Sequence, residues 1–218
     1  MWQGVEDIME PNRLSAFQLD VLREAGNIGA GHATTSMSKL MNNKVDMQVP
    51  SVHIMPFDEV LEWIGASDTP VAGIMIRIYG DAPGTVYFIL HVEEAESLVK
   101  SMTQHSDIQL VHGETNHFAE SAIKETGNIL TGSYLSALSD FTGLHMQPSV
   151  PFLHIDMAGA IVSHALIEVS QVTDHALIIE TEISYGGKSH RIHGNFLFLP
   201  DPGSFLKLFQ SLGIEENE

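Results

Sequence analysis

The sequence predicts a mixed α/β (α+β) fold that is duplicated internally, its motif-bearing helices packed with a β-sheet and its halves related by a pseudo-twofold axis. Three observations predict it. Stretches with helical spacing alternate with apolar, β-prone runs along the chain. Slid on itself by 101 positions, the chain brings Glu24, Gly26, Asn27, Ile28, Gly31, Ser38, Val49, Pro50, His53 and Ile54 onto identical residues at 125, 127, 128, 129, 132, 139, 150, 151, 154 and 155. Farther along the register slips, yet Gly84 and Phe88 still correspond to Gly194 and Phe198. A period this long is not that of a solenoid. The expectation is one domain, residues 1–218, built of pseudo-repeats at about 15–103 and 116–213 that share one sheet or one core.

Taken in order, residues 1–14 read as a loose lead-in. Ser15 and Gln18 form a capping-box pattern opening a helix whose apolar side is Phe17, Val21, Leu22 and Ala25. Gly26, Gly29 and Gly31 then interrupt the pattern. Each costs about 1 kcal/mol against Ala in a helix interior, so a bend or a close backbone approach is expected there. A second short helix is expected over Ala33–Leu40, then extended chain over Val45–Ile54 with Pro50 marking an edge or bulge. Phe57–Ile64 suits a turn or two of helix. Val71–Tyr79 and Thr85–Leu90 read as a hairpin, and Glu93–Met102 as a helix.

The second half replays this order with a helix over His117–Ile129, Ser133–Leu138, and extended chain over Met146–Ile155. Ala160–Ser170 reads as helix, strand or a switch between them. A hairpin of Leu177–Ser184 and His190–Leu199 turns across Tyr185–Lys188, and a helix over Ser204–Leu212 closes the chain.

Composition narrows the function classes. The 218 residues are 44% hydrophobic, enough for a substantial core. No run of about eighteen apolar residues spans a membrane, and the N-terminus lacks the basic start and apolar core of a secretory signal. Cysteine is absent, which excludes disulfides, thiolate catalysis and zinc–thiolate sites and suits the cytoplasm. With 28 acids against 10 bases and a net charge of −18, nothing resembles a phosphate-backbone footprint, so nucleic acid is not an expected partner. The acidity is diffuse and names no function of its own.

The motif that opens each half is more specific. Asp20, Glu24 and Asn27 recur as Ser121, Glu125 and Asn128, and 23 positions separate each Asn from a proline, Pro50 or Pro151. Steps of four and three place the three polar side chains on one helical stripe. One such stripe is as readily a solvated helix face. Two copies with matching flanks and the same distance to proline favour a site.

This pattern, [D/S]-x-x-x-E-x-x-N followed by twenty-two residues and Pro, resembles the signature of the chemotaxis phosphatases CheC, CheX and FliY. The resemblance is closest to CheC and covers essentially the whole chain. CheX carries one motif per chain and is a dimer, whereas this chain has two; FliY adds a C-terminal switch domain for which the end at Glu218 leaves no room. The resemblance implies hydrolysis of the aspartyl-phosphate of the response regulator CheY, with Glu24/Asn27 and Glu125/Asn128 as the active pairs. Asp20, Ser121, Pro50 and Pro151 are then accessory motif positions. It also implies binding of the receptor deamidase CheD. A competing reading from the same resemblance is a non-catalytic adaptor that binds CheD or senses phosphorylated CheY; retention of both Glu/Asn pairs argues against it.

The chemistry suits these residue types. An acyl phosphate is already activated, and phosphoryl transfer leaves a protein mainly positioning and charge stabilisation. A neutral carboxamide both donates and accepts hydrogen bonds, so it can hold a water in line with the breaking P–O bond without repelling the phosphoryl group. The Glu one turn earlier can pair with the regulator's lysine. No cofactor of the chain's own is called for, since Mg²⁺ is expected on the CheY partner. The site is expected to be a helix face rather than a deep pocket, and the differences Asp20/Ser121, Gly29/Leu130 and Ala30/Thr131 suggest unequal sites.

Other candidates are weaker. His190 and His193 would face opposite sides of a strand, and His105, His112 and His117 have no matched acidic cage, so a metal site is not expected. Asn27-Ile-Gly-Ala-Gly31 lacks both the dinucleotide fingerprint and the P-loop Lys. The ten methionines suit core packing.

Overall fold

The duplication sets the order of the secondary structure. A computed structural model describes residues 16–103, 108–110, 117–169, 175–186, 190–201 and 203–212. The first half runs α1 (Ala16–Leu40), β1 (Val45–Gln48), β2 (Val52–Pro56), α2 (Phe57–Ile64), β3 (Pro70–Gly80), β4 (Gly84–His91) and α3 (Val92–Thr103). The second repeats it as α4 (His117–Thr142), β5 (Met146–Pro148), β6 (Phe152–Met157), α5 (Ala158–Val169), β7 (His175–Tyr185), β8 (His190–Pro200) and α6 (Ser204–Ser211).

All eight strands form one antiparallel sheet in the order β1-β7-β8-β4-β3-β5, with β2 also on β7 and β6 also on β3. The pseudo-twofold axis passes between β4 and β8 at the pair Tyr87–Leu197, flanked by Gly84 opposite Pro200 and Leu90 opposite Gly194. Each of the two glycines makes room for a phenylalanine of the other half. A Cβ on Gly84 would lie 2.6 Å from the Phe198 ring, and one on Gly194 would lie 2.6 Å from the Phe88 ring. These four residues are the ones that survive the register slip in the sequence.

The outer strands are exchanged between halves. β1 and β2 lie on β7, and β5 and β6 lie on β3. Val52 faces Ile179, and its counterpart Leu153 faces Ile74, a pairing two residues out of step with the axis through Tyr87 and Leu197, which relates Ile74 to Leu177. Pro50 and Pro151 sit in the breaks between the paired outer strands. At one break Glu180 N–H donates to the Ser51 carbonyl at 3.1 Å; at the other Ser149 N–H donates to the Arg77 carbonyl at 2.8 Å. A proline lacks an N–H and suits such an edge position.

Alternation along each strand divides the core into two layers. On β4, Val86, Phe88 and Leu90 join α1, α3, α4 and α6 on one face, while Tyr87 and Ile89 join α2 and α5 on the other. Methionines 37, 41, 55 and 146 are buried in these layers.

The structure corrects one expectation. The glycines do not interrupt the motif helices: α1 continues for 25 residues and α4 for 26. Tertiary packing outweighs the intrinsic cost of glycine. A Cβ on Gly26 would come within 3.3 Å of Val49, one on Gly127 within 2.6 Å of Ile74, and one on Gly29 would overlap the Tyr134 ring. These three glycines let helix approach sheet and helix approach helix. Gly31 has no such neighbour. The ambiguous stretch near Ala160–Ser170 is helix α5 through Val169. Ser15 of the capping box, His105, His112 and part of the β7–β8 turn lie outside the described residues.

Candidate functional site

The two stripes point away from the contact between their helices. On α1, Gly29 packs against Tyr134 of α4. At about 100° per residue, Gly29 lies about 170° round the helix from the midpoint between Glu24 and Asn27. The stripe therefore faces outward. Asp20, Glu24, Ser121, Glu125 and Asn128 are exposed, and Asn27 is half-buried. Each Glu/Asn pair stands on helix surface.

Asn27 is held in place. Its Oδ1 accepts a hydrogen bond from the backbone N–H of Val49 at 3.0 Å. Val49 immediately precedes Pro50, so in the first half the carboxamide fastens the helix to the chain as it enters the β1–β2 break. The second copy lacks the fastening. Val150, the counterpart of Val49, is 86% exposed against 3% for Val49. Among the described residues the Asn128 side chain makes no hydrogen bond within the chain. One carboxamide is fastened to the backbone, and the other has no such tie among the described residues.

The opening motif positions serve their own helices. Asp20 pairs with Arg23 at 2.9 Å. Ser121 donates to the His117 carbonyl at 2.8 Å, and Lys124, the counterpart of Arg23, lies 3.8 Å from Glu120 instead. Of the three differences expected to make the sites unequal, only Asp20/Ser121 lies on the exposed stripe. Leu130, Ala30 and Thr131 are buried with no exposed surface, and Gly29 is buried against Tyr134. The inequality at the site comes instead from the bond between Asn27 and Val49.

The matching segments carry these motifs as a family feature. The sequence pattern of the CheC-like family fits residues 17–54 and 118–155, once in each half, from the motif helix to the strand beyond the proline. Over 202 residues, 93% of this chain and 97% of the relative, the sequence is 42% identical to the CheY-P phosphatase CheC of Bacillus subtilis (strain 168). This chain belongs to the CheC-like family. The flagellar motor switch phosphatase FliY of the same organism is 26% identical over 145 residues, which are 66% of this chain and 37% of that protein. Among solved structures, Thermotoga maritima FliY superposes with a TM-score of 0.72 at 18% identity, over 94% of this chain and all of that one. The FliM middle domain from H. pylori superposes with a TM-score of 0.64 at 14% identity, over 93% of this chain and all of that one. These two likenesses establish the common fold.

Within this CheC-like chain one residue on a stripe escaped the sequence reading. Phe118 is 62% exposed and lies three positions before Ser121 and seven before Glu125, on the same side of α4. The signal was available: an aromatic side chain in register with a polar helix face. Among the described residues no three His, Asp or Glu side chains are grouped to hold a metal ion, and no helix is long and apolar enough to cross a membrane.

Proposed function

We propose that this protein is a cytoplasmic phosphatase acting on the aspartyl-phosphate of the response regulator CheY, through Glu24 with Asn27 and Glu125 with Asn128. The observation that carries the reading is the repeated outward stripe: in both copies a carboxylate and, one turn on, a carboxamide stand on accessible helix surface. The full-length relationship to a protein named CheY-P phosphatase supports it.

The regulator brings the phosphorylated Asp together with its lysine and Mg²⁺, and the metal supplies neutralisation of phosphoryl oxygens. The Asn carboxamide accepts a hydrogen bond from water and orients it opposite the Asp–phosphoryl bond. The water oxygen bonds to phosphorus, the P–O bond to the aspartate breaks, and inorganic phosphate leaves. The carboxamide contributes orientation, and the gain is entropic rather than basic. At the first site the bond from Val49 fixes the amide plane in advance. The Glu carboxylate pairs with the regulator's lysine and sets the register of docking. Binding of CheD belongs to the same proposal and is checked separately by co-purification of the two proteins.

The test is loss of phosphate from pre-phosphorylated CheY. Asn27→Ala and Asn128→Ala should each lower turnover while CheY binding persists, and the double variant should fall to the regulator's own hydrolysis rate. Full activity in the double variant would remove the water-orienting role. No activity in the wild type, with or without CheD, would leave a binding module that retains its motifs.

A further inference from the structure

On each helix the stripe continues one turn past the asparagine to a glycine, Gly31 or Gly132. By helical geometry each glycine lies about 20° in azimuth from its Glu and about 40° from its Asn, between the two. Nothing inside the protein requires glycine at either place. A Cβ at Gly31 or at Gly132 would meet no atom within 4 Å, and neither residue has a left-handed φ. The contrast with Gly26, Gly29 and Gly127, each filled against a neighbour, is complete. Both halves nevertheless retain a poor helix former at the same step from the motif.

Side-chain direction supplies a reason. Helical Cα–Cβ bonds tilt toward the N-terminus, so a side chain covers the turn before its own Cα. A side chain at 31 would lean over Asn27, and one at 132 over Asn128. We propose that Gly31 and Gly132 are positioning residues that keep each carboxamide uncovered, giving the phosphorylated loop of the regulator clearance to seat on the helix. This rests on the CheY phosphatase reading and extends its site by one turn. Because excluded volume acts on the docked partner, it predicts an effect on KM where the asparagines act on kcat.

The experiment uses the full chain with phosphorylated CheY as substrate. Gly31→Ala/Gly132→Ala should melt at or above the wild-type temperature. Gly31→Leu/Gly132→Leu should raise KM about tenfold or more with kcat within about twofold. A lowered melting temperature for the Ala variant would mean that the glycines serve the fold, and would overturn the proposal. So would an unchanged KM for the Leu variant while Asn27→Ala/Asn128→Ala abolishes turnover, an outcome that leaves the phosphatase site standing. Full activity in that asparagine double variant would instead overturn the site reading, and the clearance with it.

Discussion

Removing the carboxamide should cost the two sites different amounts of stability. In Asn27→Ala the N–H of buried Val49 loses its acceptor at the β1–β2 break. An unpaired buried donor costs about 1–3 kcal/mol. Alanine's better helix propensity returns up to about 0.7 kcal/mol, leaving a net loss of about 1–2 kcal/mol. In a chain of this size each kcal/mol moves Tm by about 2–4 °C, so a fall of about 2–8 °C is expected. Asn128 is exposed and has no such bond, so Asn128→Ala should hold the wild-type Tm or exceed it slightly. Asn27→Asp separates structure from chemistry: its carboxylate still accepts from Val49, so the fold persists, while the added negative charge repels the phosphoryl group. Thermal unfolding followed by circular dichroism at pH 7 measures all three variants. Equal losses for Asn27→Ala and Asn128→Ala, or no loss for either, would refute the fastening role.

Three further predictions concern the core. Gly84→Ala or Gly194→Ala should each lower the urea midpoint by an amount equivalent to about 1–3 kcal/mol, because the new methyl meets a phenylalanine ring of the other half at 2.6 Å; unchanged midpoints would remove the reciprocal packing. Thr131→Val should stabilise by about 1 kcal/mol in urea titration, since the Thr131 hydroxyl is buried without a hydrogen-bond partner. Burial pushes the Tyr134 phenol from 10 up to about 12, against the opposing hydrogen bond with Thr181. The unfolded chain therefore releases this proton first. The stabilisation is full below pH 10 and is lost as pH rises through 12, by about 2–3 kcal/mol in all. Denaturant midpoints across that range should fall less steeply in Tyr134→Phe.

Most elements were legible because their signals are local. The hairpins β3–β4 and β7–β8, helices α2, α3 and α6, and the two stripes follow from spacing and turn residues within short windows. Of the two readings of the α1 glycines, the close approach holds at Gly26 and Gly29, which answer to Val49 and Tyr134, and the bend does not, because propensity belongs to the isolated helix. The α5 segment is an apolar run whose period alone does not separate helix from strand. At the site, the spacing from Asn to Pro was plain and the fastening of Asn27 was not. The Asn27–Val49 bond joins residues that only the folded β1–β2 break brings together. Its absence at Asn128 leaves no mark in the motif itself.

The exchange of outer strands has a consequence for how the chain is made. Val52 waits for Ile179 and Ile74 waits for Leu153, so neither half finishes its share of the sheet until both have been synthesised. Closing such distant pairs is entropically expensive, and folding dominated by them is slow. A nascent first half emerges with the outer edge of its hairpin open to any strand that can add to it. A cut between α3 and α4 would yield two fragments, each carrying its partner's missing edge, and mixing them should rebuild the sheet. In folding terms this protein is a pair of interlocked subunits that happen to be written as one chain.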